Sequence, residues 1–229
     1  MPTANAKNNS SRHSGPRPAV QSEYTRGYQK IEYAARALKL DFRGKIVLDI
    51  GSSTGGFTSY ALERGAKKVI AVEKGTNQMS APVRFDPRIE LHEKTDIFNF
   101  KLMKPEKPSS AALSLLPEAT EEGFSGYPDL ILIDVSFLSL TKILKYASMY
   151  LTGPSTQFLA MLKPQFEAQS HQLTKGIIKN EAIRRQIIKD FENWLKTNRF
   201  IILGKRDNAT PGRHGNLERF YHLKLSNPA

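Results

Sequence analysis

Cysteine is absent from the 229 residues. Its absence removes disulfides, thiolate zinc sites and thiol catalysis together, and it fits a reducing, cytoplasmic setting. Long apolar runs are absent too. None approaches the ~18 residues of a membrane-spanning helix, so the chain is not expected to cross a bilayer. Residues 1–20 lack the apolar stretch of a secretory signal. The five histidines show no metal-ligand spacing, and no metal is expected. Acidic residues are scarce: 22 Asp and Glu face 34 Lys and Arg, for a net charge of +12. That excess calls for a polyanionic partner, most simply RNA, with an anionic membrane surface as the weaker option. With 39% hydrophobic and 24% charged residues, the chain has material for a core. Its length suits one domain with or without a tail, at ~150 residues per domain.

Residues 1–22, rich in Asn, Ser and Pro, read as a disordered basic tail ahead of a folded domain over 23–229. In 27–40, Ile31, Ala34, Ala35 and Leu38 recur at the spacing of one helical face. Apolar strands are expected at 45–50, 69–73, 89–93, 129–135 and 158–162, with helices at 56–64, 138–151 and 179–198. Strands at 200–203 and 219–225 close the chain. Short apolar strands alternating with helices predict an α/β fold, Rossmann-like, with a mostly parallel sheet covered on both faces. Right-handed crossovers then gather the functional loops at the carboxyl ends of the strands. The stretch 101–128, with four prolines, is too long for an ordinary connection and reads as a surface insertion.

Between the first strand and its helix lies DIGSSTGGFT (49–58). Its spacing is neither the G-x-G-x-x-G of dinucleotide sites nor a phosphate loop, since no lysine follows the last glycine. Asp49 stands at the strand end, where a carboxylate repels pyrophosphate but suits an ammonium or sulfonium ligand. Glu73 ends the second strand 24 residues on, placed to accept both hydroxyls of a ribose. The pair points to S-adenosylmethionine, cradled by Gly51, Ser52, Ser53, Thr54, Gly55, Gly56 and Phe57.

That loop, Glu73, DPR (86–88), LIDVSFLSL (132–140), LKPQFE (162–167) and GNLE (215–218) together resemble the FtsJ-like RNA ribose methyltransferases, and more closely their TlyA-type, hemolysin A-like branch. The resemblance covers about 24–225. It implies a Rossmann-like, seven-stranded methyltransferase fold, S-adenosylmethionine as methyl donor, and a Lys-Asp-Lys-Glu tetrad acting on a ribose 2′-hydroxyl of ribosomal RNA. Matched motif by motif, the tetrad is Lys30 in RGYQK, Asp134, Lys163 and Glu218, with Asp134 also reaching the cofactor. Asp96 is then expected at the adenine edge. Two departures from the pattern are Tyr28, which replaces a glycine of the branch, and the residues before Tyr24, too few for the S4 RNA-binding domain usual there.

A 2′-hydroxyl attacks a sulfonium methyl once it is aimed or deprotonated. Lys163 is expected to do this, with Lys30 as the cation lowering its proton affinity and Asp134 and Glu218 holding the two lysines. RNA contacts are expected from Arg26, Arg84 and Arg88, and from Lys175, Lys179, Arg184 and Arg185, with Tyr24, Tyr28 and Phe166 stacking on a splayed base. Two other functions stand beside this one. A non-catalytic cofactor- or RNA-binding module in ribosome assembly shares the same pocket. A hemolysin-like membrane-active protein is disfavoured by the missing spanning segment.

Overall fold

In the computed structural model, residues 25–102, 126–209, 212 and 215–226 are described. The expected basic tail and most of the expected 101–128 insertion lie outside them. Helix α1 (Arg26–Ala37) starts at Thr25, whose side chain accepts from the Tyr28 amide at 3.2 Å. It buries the face carrying Ile31, Ala34 and Ala35. Then follow β1 (Ile46–Ile50), α2 (Gly56–Glu63), β2 (Lys68–Val72), β3 (Ile89–His92) and β4 (Leu130–Ile133). The second half holds α3 (Leu140–Tyr150), β5 (Gln157–Leu162), the single turn α4 (Pro164–Glu167), α5 (Glu181–Thr197), β6 (Phe200–Asp207) and β7 (Arg219–Leu225).

The seven strands form one sheet in the order β3-β2-β1-β4-β5-β7-β6. The first five run parallel, and β7 is antiparallel to both its neighbours. Alternate residues of the central strands feed two cores. Leu48, Ile131, Ile133, Phe158 and Ala160 pack toward α3 and α5. Val47, Leu132, Leu159 and Met161 pack toward α1 and α2. This two-sided burial is why β4 reads LILI with no polar residue. Each such side chain larger than alanine contributes ~1.5–3 kcal/mol relative to exposure.

Strand order reverses between β1 and β4, so their carboxyl ends splay apart and leave a crevice, where α/β sheets bind ligands. Two elements depart from expectation. Strand β6 runs on through Lys205, Arg206 and Asp207 because an edge strand pairs on one side only and its polar side chains meet water. The turn α4 was not expected. Pro164 opens it at a first-turn position that needs no N–H.

Candidate active site

A cleft of about 1070 Å³ opens at the carboxyl ends of the parallel strands. That is room for a nucleoside-sized ligand and part of a second one. Its floor is the loop after β1. Gly51 sits at φ +84°, and a Cβ there would lie 2.9 Å from the Asp134 carbonyl oxygen, so only glycine lets the two loops touch. At Gly56 a Cβ would lie 2.5 Å from Thr25 Oγ1, which brings the starts of α1 and α2 together.

Of the residues expected to hold the cofactor, Gly51, Ser52, Ser53, Thr54, Gly56, Phe57, Glu73, Asp96 and Asp134 all line this cleft. Glu73 follows β2 directly. Its Oε2 accepts from the Ser53 amide at 2.9 Å and its Oε1 from the Gly75 amide at 2.7 Å, which pins the glycine loop. Asp96 accepts from the Phe98 amide at 3.1 Å and pairs with Lys74 at 3.0 Å. The Lys74 ammonium beside it holds its carboxyl below the usual range. Gly55 and Asp49 lie behind the wall. Asp49 points into the core beneath it, 1% exposed, its Oδ2 accepting from Thr58 Oγ1 at 2.7 Å. Its Oδ1 and the buried Ser52 Oγ have no hydrogen-bond partner among the described residues. Burial pushes the Asp49 carboxyl up to about 7, and the negative charges of Asp134 and Glu73 add to the rise.

The four residues expected to form a tetrad come from four separate elements and meet on one wall of the cleft. Lys30 projects from the first turns of α1, Asp134 from the end of β4, Lys163 from the end of β5, and Glu218 from the residue before β7. Lys30 Nζ lies 2.9 Å from Glu218 Oε2 and 3.7 Å from Asp134 Oδ2. Lys163 Nζ lies 2.7 Å from Asp134 Oδ1 and donates to Ser136 Oγ at 2.9 Å. The order is Glu218, Lys30, Asp134, Lys163: alternating charges, all at least four-fifths buried. Buried ions persist only when paired in this way.

The rim agrees less well with expectation. Arg26 and Phe166 line the cleft. Tyr28 does not: it is 5% exposed, wedged edge-on against Tyr60, and its hydroxyl donates to Glu63 Oε2 at 2.5 Å. It ties α1 to α2 and presents no face to a base. Arg88 precedes β3, at the opposite edge of the sheet, and is held by Asp86 at 2.7 Å and by the Leu62 carbonyl. Arg84 lies outside the cleft lining, paired with Glu93 at 3.4 Å. Arg184 is buried against Asp207 and the Leu217 carbonyl. One aromatic was missed. Phe137 has φ +65°, is 87% exposed, and sits 5.2 Å from Phe166, ring centre to ring centre. Nothing in LIDVSFLSL marks it, because the turn that swings it outward breaks an otherwise apolar run. Among the described residues no group of His, Asp or Glu could hold a metal ion, and no helix is long and apolar enough to cross a membrane.

Residues 24–225 match the family of FtsJ-like methyltransferases. A candidate rRNA methyltransferase of Bacillus subtilis, YqxC, is 34% identical over 87% of this chain and 64% of its own length. The 23S rRNA (cytidine-2′-O)-methyltransferase TlyA of Campylobacter jejuni is 31% identical over 80% of this chain and 63% of its own. The chain thus spans somewhat under two thirds of the length of these two relatives. The solved structure of a candidate hemolysin from Streptococcus thermophilus superposes with a TM-score of 0.75 at 31% identity, covering 92% of this chain and 70% of that one.

Proposed function

The chain belongs to the FtsJ-like methyltransferase family, and from that premise we propose that it transfers a methyl group from S-adenosylmethionine to a ribose 2′-hydroxyl of ribosomal RNA. One observation carries the reading: the row Glu218, Lys30, Asp134, Lys163 stands on the wall of the cleft floored by the glycine loop. Methyl donor and hydroxyl acceptor then share one cleft, with the row beside the acceptor.

The residues present fit the cofactor. Each Glu73 oxygen accepts one backbone N–H and keeps capacity for a hydroxyl donor. Asp96 offers an acceptor on the cleft wall, and Asp134 a negative charge for the cationic end. When bound, S-adenosylmethionine supplies a methyl carbon on sulfonium and leaves as a neutral thioether. Lys163, after giving up its own proton to solvent, aims the 2′-hydroxyl and takes that hydroxyl's proton as the oxygen–carbon bond forms. Asp134, at 2.7 Å, stabilises the positive charge that Lys163 gains. Lys30, bridging Glu218 and Asp134, keeps the Asp134 carboxylate in register for that task. Phe137 and Phe166 offer an aromatic rim on which an unstacked base rests. A ribosomal RNA substrate fits a cytoplasmic setting.

Transfer of labelled methyl groups to ribosomal RNA tests this, with ribose methylation read as resistance of one internucleotide bond to alkali. Lys163→Ala should lower transfer by ~10²–10⁴-fold while cofactor binding is kept. Undiminished transfer by the variant, or methyl groups found only on bases, overturns the reading.

A further inference from the structure

Most cations in the cleft are already neutralised. Lys30 and Lys163 belong to the row of four, and Lys74 is paired with Asp96. Lys175 also lines the cleft, exposed, and forms no ion pair with any described carboxylate. Its position is strained. Lys175 has φ +51° and Gly176 φ +78°. Thr174 and Ile177 exchange backbone hydrogen bonds of 2.9 and 3.1 Å around them. This is a two-residue turn with both central residues left-handed, a conformation favouring Asn, Asp or Gly over lysine.

The turn is also anchored. Asn216, 6% exposed, donates from Nδ2 to the Gly176 carbonyl at 3.0 Å and accepts at Oδ1 from the Ile178 amide at 3.1 Å. Asn216 is two residues ahead of Glu218, so the segment that completes the buried row also fixes the tip bearing Lys175. An ammonium held out by a strained, docked turn has no partner within the described protein to account for it.

The substrate supplies one. In RNA the 2′-hydroxyl and the 3′-phosphodiester occupy adjacent ribose carbons, so any hydroxyl that reaches Lys163 brings a phosphate into the same cleft. We infer that the 174–177 turn is a phosphate clamp, in which Lys175 neutralises the phosphodiester flanking the ribose to be methylated. The inference rests on the RNA reading above.

The test uses methyl transfer to purified bacterial ribosomal RNA, together with anisotropy titrations of fluorescein-labelled single-stranded RNA across ~50–200 mM salt. Lys175→Ala should raise the half-saturating RNA concentration about fivefold and lower the slope of log affinity against log salt by about 0.7, as loss of one phosphate contact requires. The rate at saturating RNA and the affinity for S-adenosylmethionine should stay at wild-type values. Lys175→Arg should restore most of the RNA affinity. Unchanged RNA dependence and salt slope in Lys175→Ala, with a wild type that methylates RNA, overturn the clamp alone. A wild type that binds the cofactor and methylates no RNA overturns the RNA reading and the clamp with it.

Discussion

Two ion networks diverge from adjacent residues of the chain. Glu218 turns into the cleft, to Lys30, whereas Arg219 turns outward, to Asp207 and Glu192. The outer network is over-determined. Arg219 grips both Asp207 oxygens, at 2.7 and 2.9 Å; Arg184 adds a third bond at 3.1 Å; and Glu192 is shared by Lys205 and the Tyr221 hydroxyl. Asp207 is half exposed, and hydrogen bonding from Arg219 holds its carboxyl below the usual range. This network fastens α5 to the β6–β7 hairpin. The inner row is almost dry and sparsely bonded, one ammonium serving two carboxylates. Saturated bonds near water hold elements together. Sparse bonds away from water leave donors and acceptors free for a substrate, and the burial makes each of them stronger.

On that contrast, Glu218→Gln should lower methyl transfer by about 10–10²-fold through a displaced Lys30, with the protein still folded at the assay temperature and the fall in the thermal melt limited by Asp134, the partner Lys30 keeps. A collapse of the melt would put the inner row in the structural class as well. Asp49→Asn should act next most strongly, and on stability. A carboxyl raised to about 7 in the folded chain, against 3.8 unfolded, binds its proton more tightly when folded. Stability therefore declines as pH rises between those values, and above about 7 the fold carries a buried charge. The asparagine variant should be more stable than wild type by ~1–3 kcal/mol at pH 8 and equal to it below about pH 4. Urea denaturation at several pH values measures this; a difference independent of pH would mean that Asp49 is not a buried charge. Asp207→Asn should give the smallest effect, ~0.5–1 kcal/mol at neutral pH after solvent screening. Because the folded Asp207 pKa is lowered, that contribution is complete above the unfolded value and fades as pH falls through the folded one. Methyl transfer should stay within about twofold, and a loss matching that of Glu218→Gln would erase the distinction between the networks.

The central strands were legible because burial on both faces leaves mostly apolar residues, as in IVL (46–48) and LILI (130–133). Edge strand β6 was cut short at 203 for the opposite reason, since its last residues are charged and face water. The inner row was named in full from motifs 188 positions apart, Lys30 to Glu218, because motif resemblance carries roles that spacing alone does not. Its connectivity was not legible: that Lys30 bridges two carboxylates, and that Lys163 leans on Ser136, depends on where four strand and helix ends converge. Tyr28 and Phe137 fail in opposite directions. Tyr28 looked like an available ring near an arginine, but Glu63, 35 residues away, draws its hydroxyl inward. Phe137, which its motif gives no role, is turned out by its own left-handed backbone. Amphipathic rings take their side from long-range partners and local backbone, neither of which a linear pattern records.

The turn α4, left out of the expected elements, carries Glu167, which joins the ends of two strands. Its Oε2 accepts from Ser139 Oγ at 2.7 Å and its Oε1 from the Leu140 amide at 2.6 Å. The first amide of α3 is thus capped by a residue reached only through β5. Half-buried and with its carboxyl raised by desolvation, Glu167 works as a length gauge. The run from Asp134 to Leu140 is measured against the run from Lys163 to Glu167, and a residue gained or lost in either would unhook the carboxylate and shift Asp134 and Lys163 out of step. A residue added to one loop should therefore need a matching change in the other to keep both contacts.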